Sequence, residues 1–169
     1  PNGMMMVDPE GKIVMVNAQI EKSFGYTRNE LLGRSVDVLV PERSRGKHAD
    51  QMTQYFARPE PRQLGVGRDL RGVRKDGLEF PVEIGLNPVE TPNGLIALAT
   101  VVDISESQRA AARLRLQSAA LEAAANGIVI TDNQGTILWV NPAFTALTEY
   151  DDAEVIGANP RILKSLSVS

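Results

Sequence analysis

The sequence predicts an α+β fold with antiparallel strands, followed by a second, incomplete copy of its own beginning. At the start of the chain two apolar runs, at residues 4–7 and 13–16, flank a turn that ends in Gly, which is typical of a β-hairpin. Further along, between residues 64 and 102, the apolar period changes to two and indicates more strands. Finally, the pattern of residues 2–33 returns at residues 126–157 with a constant offset of 124.

The repeat indicates a duplicated module. Identical positions in the first copy are Asn2, Gly3, Asp8, Gly11, Ile13, Val16, Asn17, Tyr26, Glu30 and Gly33. Asn17 and its counterpart Asn141 follow the hairpins, where an Asn side chain can cap a helix. We interpret residues 1–103 as a complete domain, 104–125 as a helical linker and 126–169 as the first part of a second domain.

Composition excludes several classes of function. The chain has no Cys and a single His, which excludes thiol chemistry, multi-His metal sites and a Ser/His/Asp set with a spare His. A net charge of -3 argues against a nucleic-acid surface, and no apolar run approaches the length that spans a bilayer. We expect a cytoplasmic segment without membrane contact that is not itself an enzyme.

A longer helix is predicted over residues 43–57, between Pro41 and the Pro59-Glu60-Pro61 segment. At 100° per residue one side of this helix is mainly apolar. That side carries His48, Ala49, Met52, Tyr55 and Phe56. His48 therefore lies in the middle of the inward face, where it is either a packed core residue or a ligand.

Three strands follow the helix, at about residues 66–74, 78–86 and 95–102. The last is apolar on both faces, as expected of a central strand. In the first of them Arg68 shares a face with apolar neighbours, which is costly unless an anionic or accepting group meets it. Either a ligand or an acid such as Glu79 or Glu83 would satisfy this side chain.

An exit helix is predicted after Asp103, because Ser105-x-x-Gln108 has the spacing of a capping box. The helix extends to about residue 125. Leu114 and Leu121 are seven residues apart, which favours either a dimeric seam or a plain surface helix. We expect a homodimer with these two leucines at the contact.

Together these elements resemble a PAS sensor domain. The motifs that carry the resemblance are Val16-Asn17, Phe24-Gly25-Tyr26, Glu30-Leu31-Leu32-Gly33, Arg74-Lys75-Asp76-Gly77, Phe80-Pro81-Val82-Glu83 and Asp103-Ile104-Ser105. The resemblance implies a five-stranded antiparallel sheet that faces short helices across a pocket, and an exit helix that carries the signal. It also implies a larger regulatory protein of bacterial type, with an output domain such as a kinase or a cyclic-nucleotide synthase.

Within that family the first domain is most similar to the haem-binding oxygen sensors. Pro41-x-x-x-Arg45-x-x-His48 matches the context of their axial His, and Leu64-Gly65-Val66-Gly67-Arg68 matches the segment that ends in their distal Arg. The resemblance implies haem b with His48 on the iron and Arg68 in the distal pocket. Gln63 departs from the pattern where those sensors have an apolar distal residue. The pocket residues expected are His48, Arg68, Met52, Tyr55, Ile84 and Leu86.

The second copy resembles the light-sensing relatives at residues 157–163, where Pro160 stands in place of their reactive Cys. Adduct photochemistry is therefore excluded, and noncovalent flavin is expected only for an intact second domain. The alternative to a ligand sensor is a cofactor-free PAS module that dimerises and binds other proteins.

Overall fold

The computed structural model of the protein describes residues 2–65 and 69–166. They form two compact units, Pro1–Gln108 and Arg109–Ser169. Both units contain helices and antiparallel strands in separate groups along the chain, which confirms the predicted α+β class. No helix in the described residues combines the length and the hydropathy needed to cross a membrane.

The first unit opens with a hairpin and closes with two long strands. Its strands are β1 (Gly3–Val7), β2 (Ile13–Val16), β3 (Arg62–Leu64), β4 (Arg71–Val73), β5 (Glu79–Thr91) and β6 (Gly94–Asp103). Its helices are α1 (Ala18–Phe24), α2 (Arg28–Leu31), two 3₁₀ helices (Val36–Leu39 and Glu42–Ser44) and α3 (Arg45–Ala57). The last helix, α4 (Ser105–Glu122), begins in the first unit and continues into the second.

The sheet of the first unit has the order β2-β1-β6-β5-β3, and β4 also pairs with β5. It is therefore five strands wide, as predicted. The β6 strand pairs with β1 on one side and β5 on the other, which confirms that the strand with two apolar faces is central. Hydrophobic side chains from β1, β2, α1 and α2 fill the core beside it, and Ile13, Ile20 and Leu31 are completely buried.

The strand predicted over residues 66–74 is shorter where the structure describes it: Asp69 and Leu70 lie in no strand, and β4 pairs with β5 from Arg71 to Val73. Residues 66–68 of that prediction lie outside the described residues. Ahead of them β3 pairs with β5 from Arg62 to Leu64. Gly65 has a φ of 100°, a left-handed conformation that a regular strand does not contain. A side chain at Gly65 would also lie 2.8 Å from the carbonyl oxygen of Val82. Gly65 therefore both ends β3 and allows the backbone to approach β5 closely.

The second unit contains the end of α4 and a shorter set of elements. They are β7 (Val129–Thr131), β8 (Ile137–Val140), α5 (Pro142–Thr148), α6 (Asp152–Val155) and a 3₁₀ helix (Pro160–Leu166). The two strands form a sheet of their own, and a small cluster of buried apolar side chains lies beneath it. The buried members are Ile137, Val140, Phe144 and Val155.

Candidate functional site

His48 lies in the second turn of α3, beside the 3₁₀ helix Val36–Leu39. Arg45, one turn earlier, joins these two elements because its Nε donates to the carbonyl oxygens of Asp37 at 3.0 Å and Val40 at 3.1 Å. This anchoring places the His48 Nδ1 atom 2.9 Å from Asp37 Oδ1. The imidazole is 30% exposed, so it lies at the border of the inward face rather than at its centre.

The Asp37 carboxylate forms hydrogen bonds with both His48 and Ser35. Its second oxygen, Oδ2, accepts a hydrogen bond from Ser35 Oγ at 3.2 Å. The same hydroxyl oxygen accepts from the Asp37 backbone N–H at 3.2 Å, which caps the 3₁₀ helix. An ionised carboxylate only accepts hydrogen bonds, so a neutral His48 carries its proton on Nδ1. Nε2 then has a free lone pair, and no described residue bonds to it.

The apolar residues predicted for the pocket pack against the same core cluster. Met52 on α3 and Ile84 and Leu86 on β5 all pack, half-buried, against the core of the first unit. Leu86 pairs with Ala99 on β6, which is a buried member of the same core.

Tyr55 is the most buried of the predicted site residues, at 2% exposure. Its hydroxyl oxygen is buried without a hydrogen-bond partner in the structure. Burial raises the pKa of this phenol because it disfavours the phenolate, although the nearby charge of Arg62 acts in the opposite direction. An unpartnered buried hydroxyl is costly, so it indicates a position where a ligand group would form a hydrogen bond.

Arg62 is a site residue that the sequence did not reveal. Its guanidinium lies 5.3 Å from the centre of the Tyr55 ring and donates to the Arg58 carbonyl oxygen at 3.2 Å. In the β3–β5 register Arg62 pairs with Leu86, and Leu64 pairs with Ile84, so Arg62 shares the face of the cluster. Gln63 pairs with Gly85 between them and lies on the opposite face. The polar side chain that departed from the sensor pattern is therefore turned away from the cluster.

Arg68 lies outside the described residues, and its predicted inward orientation stays a prediction. One of the acids considered as its partner is engaged elsewhere, since Arg43 Nη2 donates to Glu79 Oε2 at 2.6 Å and forms an ion pair with it. The hydrogen bond from Arg43 lowers the pKa of Glu79, and the charge of Arg43 adds to that effect.

The exit of the first unit is built on Arg74 and Asp103. Arg74 Nη2 donates to Asp103 Oδ2 at 2.7 Å, and its guanidinium lies 3.9 Å from the centre of the Phe80 ring. Asp103 Oδ1 accepts from the backbone N–H of Ser105 at 2.9 Å, at the start of α4. Burial raises the pKa of the Asp103 carboxyl, but hydrogen bonds from Ser105 and Arg74 outweigh it and leave the pKa below its usual value.

Two surface clefts lie away from His48. One, of about 340 Å³, is lined by Phe24, Gly25, Lys75 and neighbouring side chains. The other, of about 160 Å³, lies beside Gln63, Gly85 and Thr100. The residues predicted for the pocket nevertheless include the chemical groups that hold haem, namely a free imidazole nitrogen on His48, half-buried apolar side chains and an unpartnered buried hydroxyl.

Comparison with known families and proteins gives a consistent result. The model of the family described as "PAS domain" matches residues 1–106, and a second model described as "PAS fold" matches residues 116–164. Sensor protein FixL of Bradyrhizobium diazoefficiens is 31% identical over 119 residues, which are 70% of this chain and 24% of that protein. Oxygen sensor protein DosP of Escherichia coli is 25% identical over 164 residues, 97% of this chain and 20% of that protein. The chain thus spans a quarter or less of these relatives.

Solved structures of PAS domains show the same fold. The PAS domain of an HTR-like protein from Haloarcula marismortui has a TM-score of 0.51 at 24% identity and covers 62% of this chain and 82% of that one. The LOV domain of a blue-light activated histidine kinase from Erythrobacter litoralis has a TM-score of 0.52 at 19% identity, covering 62% and 97%. At these identities the likeness concerns the fold alone.

Proposed function

This chain belongs to the PAS domain family and is a sensory module of signal transduction, and we propose that its first unit senses through haem b held by His48. The observation that carries this proposal is the pairing of His48 Nδ1 with Asp37, which leaves Nε2 free for iron. The name of the relative from Escherichia coli, an oxygen sensor, supports the same kind of signal.

The other residues would have distinct parts in holding the group. Met52, Ile84 and Leu86 would supply apolar contacts to its ring, and Tyr55 and Arg62 would supply a hydrogen bond and a positive charge for its carboxylates. Haem held by these residues would supply an iron that can bind a diatomic gas. Arg68 remains the proposed distal residue.

The route from the site to the exit helix follows the sheet. Ile84 and Leu86 lie on β5, which pairs with β6 over ten residue pairs from Val82↔Asp103 to Thr91↔Gly94. The β6 strand ends at Asp103, whose carboxylate binds both Arg74 and the first turn of α4. A displacement of β5 would thus be transmitted to the helix through a continuous ladder and an ion pair.

The proposed organisation is a complete sensor domain over residues 1–103, a linker helix over 104–125 and part of a second PAS domain over 126–169. Family matches to residues 1–106 and 116–164 support the tandem arrangement. The parent protein would be cytoplasmic, with an output domain, and an intact second domain would be the place for noncovalent flavin.

Reconstitution with haemin tests the function. The wild type should bind haemin with an absorbance spectrum of histidine-ligated iron that changes on reduction and on addition of oxygen. Because His48 is the single His of the chain, His48→Ala removes every imidazole ligand and should abolish that spectrum. Gln54→Ala, an exposed substitution on the same helix, is the matched control and should bind as the wild type does. Identical spectra for wild type and His48→Ala would contradict the proposal.

A second candidate function is a cofactor-free dimerisation module, which the surface of α4 favours. Leu114 and Leu116 are 66% and 72% exposed, and Leu121 is 37% exposed. Leucines of this kind contribute roughly 1.5–3 kcal/mol each when fully buried, so a second copy of the helix would cover them favourably. Light scattering should show a dimer that Leu114→Asp with Leu121→Asp dissociates, and an unchanged mass would place the dimer contact elsewhere.

A further inference from the structure

We propose that Asp37 is the positioning residue of His48: its carboxylate holds the imidazole in the tautomer protonated on Nδ1 and so makes Nε2 the nitrogen that ligates. The ligating half of this statement rests on the proposed function, whereas the tautomer is a property of the chain without any cofactor. Two separate experiments therefore test the two halves.

The geometry of the pair is fixed from both sides. Asp37 Oδ1 lies 2.9 Å from His48 Nδ1, a normal distance for a charge-assisted hydrogen bond. On the side of the acid, Ser35 Oγ bonds to the other carboxylate oxygen and to the Asp37 backbone N–H. On the side of the imidazole, Arg45 bonds α3 to the backbone carbonyl of Asp37 itself. The carboxylate therefore cannot rotate away from His48 without breaking another hydrogen bond.

The exposure of the pair decides what the carboxylate can do. The Asp37 and His48 side chains are 36% and 30% exposed, so both remain partly in contact with solvent while Asp37 accepts from Nδ1. An ionised acceptor on Nδ1–H increases the electron density on Nε2 and makes that nitrogen a stronger ligand. It also fixes the rotation of the ring about its Cβ–Cγ bond, and hence the direction in which Nε2 points.

The tautomer can be measured directly in the protein without haem, because the chain contains only one imidazole. Long-range ¹H–¹⁵N correlation at a pH where His48 is neutral should show the proton on Nδ1 and a bare Nε2. Asp37→Ala should move the proton towards Nε2. Asp37→Asn keeps an acceptor oxygen without the charge, so it should largely retain the Nδ1–H form. An identical tautomer in wild type and Asp37→Ala would overturn the proposal.

Asp50→Asn is the matched control. Asp50 lies on the same helix, two residues after His48, and is exposed, and its side chain makes no hydrogen bond or ion pair with any described residue. Asp50→Asn removes one carboxylate from the helix that carries His48, on a different face of it, and should leave the tautomer unchanged. A shift in this variant as large as that in Asp37→Ala would overturn a specific role for Asp37. Circular dichroism of each variant checks that the first unit stays folded.

Haemin binding tests the ligating half. Loss of a side chain that orients a metal ligand typically weakens binding by about 10–100-fold, so Asp37→Ala should fall in that range and Asp37→Asn should lie between it and the wild type. The iron–histidine stretching frequency in resonance Raman spectra should fall in the same order, a change that a merely structural role would not produce. Equal affinities and frequencies in all three proteins would overturn this half. A wild type that binds no haemin would instead overturn the proposed function, and the tautomer measurement would then decide the role of Asp37.

Discussion

The two copies of the opening motif share their local structure and differ in what covers it. In the first unit the β1–β2 register is Met5↔Val16, Met6↔Met15 and Val7↔Ile13. In the second unit the β7–β8 register is Val129↔Val140, Ile130↔Trp139 and Thr131↔Ile137, the same pairing shifted by the repeat and with the same irregularity. The hairpin is thus set by its own sequence.

The two copies differ in how deeply the first strand of the hairpin is buried. Met5 and Val7 are almost completely buried, whereas their counterparts Val129 and Thr131 are half-buried and exposed. In the first unit β6 pairs along the free edge of β1 over residues 3–7, and β5 lies beyond β6 in the sheet. Among the described residues β7 pairs only with β8. Remote strands therefore provide the stability of the module, and the hairpin alone does not.

The largest difference expected between the two hairpins is in the protection of their amides from hydrogen exchange. Amides of β1 and β2 should exchange only through global unfolding, about 5 kcal/mol or more above the folded state, because both strands belong to the buried sheet. Amides of β7 and β8 should exchange at close to zero free-energy cost. Residue-resolved exchange of the whole chain checks this, and equal protection of the two hairpins would contradict the comparison.

Matched core substitutions should differ almost as strongly. Ile13 and Ile137 are equivalent residues, and both are completely buried. Ile13→Ala should lower the free energy of the main unfolding transition by about 2–5 kcal/mol, since it leaves a cavity in the large core. Ile137→Ala should leave that transition unchanged. Urea denaturation followed by circular dichroism measures both, and similar losses would mean that the units unfold as one.

The same contrast explains what the sequence could and could not predict. Helix caps and the alternation of β5 depend on neighbouring residues, so the capping role of Asn17 and the inward position of Ile84 were predicted correctly. The pairing of His48 with Asp37 depends on how α3 packs against a turn eleven residues earlier, and no periodicity records that.

The orientation of β3 was beyond prediction for a similar reason. A strand of three residues carries no apolar alternation, so its register with β5 decides that Arg62 faces the cluster and Gln63 does not. The contact at Gly65 depends on the same register, because its backbone lies against the backbone of β5, where a side chain would be 2.8 Å from the Val82 carbonyl oxygen.

The capping asparagines should show a smaller and asymmetric effect. Asn17 Oδ1 accepts from the backbone N–H groups of Met4 and Ile20, and Asn17→Ala should cost about 0.5–2 kcal/mol in the main transition. Asn141 is completely buried and its Nδ2 also donates to the Leu121 and Ala124 carbonyl oxygens of the linker. Asn141→Ala should leave the main transition unchanged but increase proteolysis near residue 125. The reverse pattern would contradict the assignment.

The smallest effect expected is in the pH dependence of stability. Because the pKa of Asp103 is lowered in the folded state, its contribution is present at neutral pH and is lost as the pH falls below the ordinary value of 3.8. Asp103→Asn should therefore cost about 1 kcal/mol at pH 7, with partial exposure limiting the effect, and less near pH 3. The pKa of Asp132 in the second unit is also lowered, mainly by a backbone hydrogen bond from Thr136. Asp132→Asn should not alter the main transition, and urea titrations at both pH values test the pair.

The number of haem groups bound per chain tests the central claim most directly. The first unit contains the single His of the chain and the second unit contains none, which predicts one haem per chain in the wild type and none held through an imidazole in His48→Ala. Haemin titration of both proteins, with the ratio at saturation read from absorbance, gives this number. Two equivalents per chain, or one equivalent with the same spectrum in His48→Ala, would contradict the account.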